Sequence, residues 1–216
     1  MKRAISCALL IGSLFAVSCA DTKSHSTGVY MLLDTSGTYT MELKNAHAII
    51  NYLLATLKPG DSLAVARIDS GSFSEKDIVT KMTFDRRPSY SNSQKRLFAE
   101  NIQKFVKTVK GSPHTDITGG VLQAVEYLNE TGSGKKYILI FSDLKEDLVK
   151  GHIRDFPIQM DGIDVIALNV TKLRSDNVDP REYMDRLEKW GEKVEAGGAK
   201  WRVINDLERL DRIFEI

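Results

Sequence analysis

Five oxygen-bearing side chains stand where they could share one cation. Asp34, Ser36 and Thr38 occupy alternate positions of Asp34-Thr35-Ser36-Gly37-Thr38, Thr115 lies in Ser112-Pro113-His114-Thr115-Asp116-Ile117, and Asp143 closes an apolar run. Carboxylate and hydroxyl oxygens suit a hard divalent ion, Mg²⁺ first, with Mn²⁺ or Ca²⁺ as the alternatives. Two carboxylates neutralise such an ion and three hydroxyls leave its shell unfilled, so an outside oxygen has a position to take. Gly37 lets the backbone bend between the first three ligands. No Cys or His cluster has zinc spacing, and His114 is read as an exposed loop residue, because imidazole suits softer ions. Taken singly, Asp34 and Ser36-Gly37 are turn residues and Asp143 is a cap. Only their joint placement points to a site.

For these residues to meet, a sheet must bring separate strand ends side by side. Gly28 to Asp34 is a nearly continuous apolar run, suited to a strand buried on both faces. Residues 41–57 put Leu43, Ala46, Ile50, Leu53 and Leu57 on one helical face, and Lys58-Pro59-Gly60-Asp61 stops that helix. Residues 62–69 and 78–84 read as strands whose short connection makes the second antiparallel. Helices are predicted over 93–110, with Phe98, Ile102, Phe105 and Val109 inward, and over 118–130; strands follow at 136–143 and 163–170. Asp179-Pro180 with Glu182 predicts an acidic capping box. Its helix carries Tyr183, Leu187, Trp190 and Val194 inward and ends at Gly197-Gly198. Residues 201–206 form a sixth strand and 207–216 a last short helix. The alternation predicts an α/β fold: a doubly wound, Rossmann-like sheet of about six mostly parallel strands, one antiparallel edge strand, and helices on both faces. Ligands of such sheets bind at the carboxyl ends of the strands, where strand order reverses.

Leu32-Leu33-Asp34-Thr35-Ser36-Gly37-Thr38 resembles the Asp-x-Ser-x-Ser/Thr element of the metal-ion-dependent adhesion site in von Willebrand factor A (vWA) domains. Thr115, before Asp116-Ile117-Thr118-Gly119-Gly120-Val121, is similar to that family's lone loop threonine, and Asp143 to its aspartate after the fourth strand. The resemblance covers residues 26–216. It implies a vWA fold, with the hydroxyls of Ser36, Thr38 and Thr115 on the metal and Asp34 and Asp143 acting directly or through water. It also implies a protein partner that supplies a carboxylate to the open position, and no catalysis. Two other readings stand beside it. The same Asp34 segment resembles the first motif of haloacid-dehalogenase-type phosphatases, in which Asp34 would be a nucleophile beside Mg²⁺; those enzymes need a second acid where Ser36 stands, and Lys145-Glu146-Asp147 fits their later motif poorly. The other is a non-catalytic scaffold of an envelope complex. An aspartic protease would need a second Asp-Thr-Gly and an all-β setting.

Residues 1–18 predict an export signal: Lys2-Arg3, then an uncharged run shorter than the roughly 20 residues of a membrane span. Phe15-Ala16-Val17-Ser18-Cys19 resembles the lipobox of bacterial lipoproteins, which implies a lipidated Cys19 at the new N-terminus, a linker over 19–27 and a domain over 28–216. Cleavage after Ala20, giving a soluble periplasmic or secreted protein, is the alternative. Cys7 and Cys19 are the only cysteines, so the mature domain has no disulfide. The lipoprotein resemblance implies a membrane-anchored protein of a bacterial envelope, and the non-acidic Ala20 favours the outer membrane, facing the periplasm. The linker reaches at most about 28 Å and enters the first strand at the end away from Asp34, about 23 Å along an extended chain, so a cation there would face away from the membrane.

Thirty Lys and Arg against twenty-nine Asp and Glu give a net charge of +1, without the basic excess of a nucleic-acid partner. The lysines and arginine of 93–110 (Lys95, Arg96, Lys104, Lys107, Lys110) read as a solvated face. Asp85 to Tyr90, a polar loop with two arginines and an aromatic, is a candidate partner contact.

Overall fold

The computed structural model describes residues 25–37 and 42–214. The export signal, Cys19, most of the linker, and Thr38 lie outside the described residues.

Side chains of a strand leave alternately on its two faces, and the first strand, β1 (Thr27–Asp34), uses both. Val29, Met31 and Leu33 enter one core with Ala46, Ile50 and Leu53 of α1 (Leu43–Thr56) and Phe98 and Ile102 of α2 (Pro88–Thr108). Tyr30 and Leu32 enter the other with Val121 and Ala124 of α3 (Ile117–Glu130) and Trp190 and Val194 of α4 (Arg181–Ala196). Every residue from Val29 to Leu33 is fully buried, which is why this strand reads as apolar without alternation. With β2 (Ser62–Ile68), β3 (Ile78–Thr83), β4 (Lys135–Phe141), β5 (Ile163–Leu168) and β6 (Lys200–Ile204), the sheet has the order β3-β2-β1-β4-β5-β6. All pairings are parallel except β2 with β3. Strand order reverses between β1 and β4, so the crevice at their carboxyl ends is the expected ligand position.

Four local expectations need correction. Helix α2 begins at Pro88, not at 93; proline is pre-set for a first helical position, where no N–H is required. The Asp85–Tyr90 stretch is therefore partly helical, and it leaves the edge opposite Asp34, since Thr83 pairs with Ser62 at the start of β2. Asp179 does not anchor a reciprocal capping box: its carboxylate takes the Arg181 main-chain N–H at 3.1 Å and the Arg181 guanidinium at 2.8 and 2.9 Å. The last helix is a 3-10 segment, Leu207–Phe214, broken at Arg209. Arg202 of β6 ties it down by donating to the carbonyls of Arg212 and Ile213. Gly37 is exposed, with open space where a Cβ would stand. The tight approach is at Gly111 instead, where a Cβ would come within 3.4 Å of the Gly37 backbone.

Candidate metal site

Asp34 ends β1, and Leu33 pairs with Phe141, the last residue of β4. The chain leaving β4 therefore delivers Ser142 and Asp143 beside Asp34. Ser142 donates its hydroxyl to Asp34 Oδ2 at 2.6 Å, and the Ser36 N–H donates to Asp34 Oδ1 at 2.8 Å. Leu144 then turns sharply, with φ of 64°, and its N–H donates to Ser142 Oγ while the Lys145 N–H donates to Asp143 Oδ1.

Two isolated bridges stitch the third segment to these two. Ser36 pairs with Ser112, whose N–H donates to the Thr35 carbonyl at 2.8 Å. Thr115 exchanges both main-chain bonds with Asp147, at 2.8 and 2.9 Å. Asp34, Ser36, Thr115 and Asp143 are thus gathered at one sheet edge by the chain itself. His114, half-exposed, lies 3.2 Å from Asp147 and points to that carboxylate.

The electrostatics of this edge divide its buried aspartates into two kinds. Asp116 is fully buried and paired with Arg154. Burial opposes its ionisation, but hydrogen bonds from Arg154 and Gly119 outweigh it and hold the carboxyl below the ordinary range. Asp176 receives two bonds from Arg186, which bring its pKa down to about 2. Asp34 and Asp143, 0% and 4% exposed, have no such arginine among the described residues. Burial pushes the Asp143 carboxyl up, and the neighbouring charge of Asp34 adds to the rise, against the Lys145 N–H and the Arg186 and Lys145 charges. Two like charges are held together out of water, an arrangement that costs stability unless a cation joins them.

Helix α4 fixes the Asp143 turn from outside. Arg186 donates Nε–H to the Asp143 carbonyl at 3.2 Å, and Trp190 donates Nε1–H to the Leu144 carbonyl at 3.1 Å. The Asp176–Arg186 pair that aims this guanidinium carries a pH signature. The folded carboxyl is depressed, so its contribution is complete above the ordinary value of 3.8 and disappears as pH falls through about 2. Asp176→Asn is expected to melt below wild type at neutral pH and to lose less stability on acidification across that window, as thermal melts at stepped pH will measure.

Sequence reasoning missed Ser142, Arg154, Arg186 and Glu146. Glu146 takes the Thr118 N–H at 2.7 Å and its hydroxyl at 3.1 Å, closing the start of α3. Only Asp116, directly before an apolar-periodic segment, carried a visible signal, that of an N-cap; it does accept the Gly119 N–H. Among the described residues no group of three or more His, Cys, Asp or Glu is placed to hold a metal. The donor set at Asp34 is instead two carboxylates with hydroxyls, which fits a hard oxygen-seeking ion and not zinc.

No family model matches the sequence, and no curated protein is similar to it by sequence. Solved structures are similar in fold. A von Willebrand factor type A protein from Catenulispora acidiphila aligns over 88% of this chain and 41% of its own, at 14% identity and a TM-score of 0.52. The pilus adhesin SpaC of Lactobacillus rhamnosus GG, in an open conformation, aligns over 87% of this chain and 29% of its own, at 10% identity and a TM-score of 0.53. An aerotolerance-related membrane protein from Bacteroides fragilis aligns over 87% of this chain and 96% of its own, at 14% identity and a TM-score of 0.47. This chain spans less than half the length of the first two. Its fold is that of von Willebrand factor A domains: a six-stranded, mostly parallel sheet with one antiparallel edge strand and helices on both faces.

Proposed function

We propose that the chain binds a protein partner through a divalent cation held by Asp34, Ser36, Thr38, Thr115 and Asp143. The observation that carries this reading is the burial of Asp34 and Asp143 side by side, with no arginine bonded to either carboxylate among the described residues, at the point where strand order reverses. Neighbouring buried Asp116 and Asp176 each take an arginine directly on the carboxylate, whereas Arg186 meets Asp143 only at its carbonyl, so the Asp34 and Asp143 carboxylates suit an added positive charge. The ion would neutralise the pair and present an incomplete shell to a carboxylate oxygen of the partner. Ser36 and Thr115 supply neutral oxygens, and their carrier segments are joined to the two acid-bearing turns by the main-chain bridges.

A phosphatase reading is less well supported. Ser36 stands where a second acid would be needed, and the Glu146 carboxylate is occupied by Thr118. Among the described residues no helix is long and apolar enough to cross a membrane. The proposed location is the bacterial envelope, with Cys19 as lipid anchor, on the strength of the N-terminal motif alone.

The test uses Mn²⁺ as probe. Calorimetry is expected to detect one Mn²⁺ per chain in the wild type and none in Ser36→Ala/Thr115→Ala. Glutamate-bearing peptides on an array should bind only with the metal present. Peptide capture that persists in excess chelator would sink the proposal. Turnover of p-nitrophenyl phosphate abolished by Asp34→Asn would transfer the site to the phosphatase class.

A further inference from the structure

Thr115 lies outside regular structure yet is fixed on both sides. Its own N–H and carbonyl are paired with Asp147. The next residue, Asp116, is fully buried, and its carboxylate gathers donors from three separate segments. The Gly119 N–H at the start of α3 reaches Oδ1 at 2.8 Å, and the Ser72 N–H from the loop after β2 reaches Oδ2 at 3.1 Å. Arg154, from the long irregular segment between β4 and β5, places Nη2 2.7 Å from Oδ2 and shares its Nε–H between both oxygens at 3.1 and 3.2 Å. Arg154 is itself mostly covered, at 20% side-chain exposure.

We infer that Arg154 is a positioning residue for the cation site: gripping Asp116, it locks the backbone that carries the Thr115 hydroxyl. The inference rests on the cation reading above. Without the guanidinium, a buried carboxylate keeps only two main-chain donors and loses its counter-charge. The turn from Thr115 into α3 then relaxes toward water, and the hydroxyl leaves its fixed bearing. The carboxylate of Asp116 is taken up by these donors, so it orients its neighbour and is not itself a ligand.

Electrostatics and positioning predict opposite signs here. A guanidinium near a cation site repels the ion, so removal of its charge alone tightens binding. Loss of positioning weakens it, by about 10–100-fold for partners one shell removed from a metal. Mn²⁺ titration of Arg154→Gln, followed by electron paramagnetic resonance, is expected to give weakening of about tenfold or more. Arg154→Lys keeps the charge but not the two-pronged contact, and an intermediate loss is expected; it also serves if Arg154→Gln folds poorly, which melting in chelator will reveal. In a Thr115→Ala background, Arg154→Gln should add little, because both changes act through one hydroxyl. Unchanged or tighter Mn²⁺ binding by Arg154→Gln, or full additivity with Thr115→Ala, overturns the inference. Absence of Mn²⁺ binding by the wild type overturns the cation reading itself, a separate and recognisable result.

Discussion

Asp34→Asn will abolish cation binding while leaving the metal-free protein as stable as wild type, or more so. Asparagine has the same shape: its one oxygen can keep the Ser36 N–H, and its amide nitrogen can donate to the Ser142 hydroxyl oxygen where the aspartate now accepts from it. What disappears is one of two buried negative charges that lie beside each other. Without metal the pair is repulsive, so its removal relieves a cost. With metal the same charge is a main source of affinity, and its loss should exceed the about 10–100-fold typical of residues one shell further out. The measurement is a pair of melts, in chelator and in excess Mn²⁺. Wild type should gain stability on adding the ion by mass action, and the variant should not. A variant that melts well below wild type in chelator would show that Asp34 is a structural turn residue after all.

Trp190→Ala is expected to have the largest effect on stability. The indole is 7% exposed, packs in the core shared by α3, α4 and the sheet, and carries the Lys193 ammonium 5.0 Å over its ring. Truncation of such a side chain costs about 3–5 kcal/mol. At about 2–4 °C per kcal/mol for a domain of this size, the melting temperature should fall by roughly 10 °C. Trp190→Phe separates packing from hydrogen bonding. It keeps most of the ring volume but leaves the Leu144 carbonyl without its donor, at about 1 kcal/mol. It should also weaken Mn²⁺ binding, since that carbonyl adjoins the Asp143 turn. Equal Mn²⁺ affinity in Trp190→Phe and wild type would mean that the turn holds its shape without α4.

The strands were legible because burial on both faces leaves an apolar run with few competing interpretations, as in Val29–Leu33 and Tyr137–Phe141. Those two runs also located where Asp34 and Asp143 emerge, while their meeting was implied by the vWA resemblance, because strand order is not written in residue types. Helix starts were harder. Pro88 sits among polar residues, and nothing in its local pattern distinguishes a helix opening from a loop. The supporting residues were invisible for a different reason: they join positions far apart in the chain. Ser142 meets Asp34 across 108 residues, and Arg154 meets Asp116 across 38. No periodicity marks an arginine in an irregular segment as the partner of a particular buried acid. Thr38 and Cys19 lie outside the described residues, and metal ligation by the one and lipid attachment at the other are proposals from the sequence.

Arg186 and Trp190 stand four residues apart, about one helical turn, and hook the carbonyls of two successive residues, Asp143 and Leu144. Carbonyls are supplied by the peptide backbone whatever side chain it bears. Helix α4 therefore moors this turn whichever amino acid occupies position 143, and the Asp143 side chain adds only its own bond to the Lys145 N–H. An engineer could exchange that acid for an amide, a longer acid or a hydroxyl and retune the charge of the crevice, because the mooring itself would not be cut.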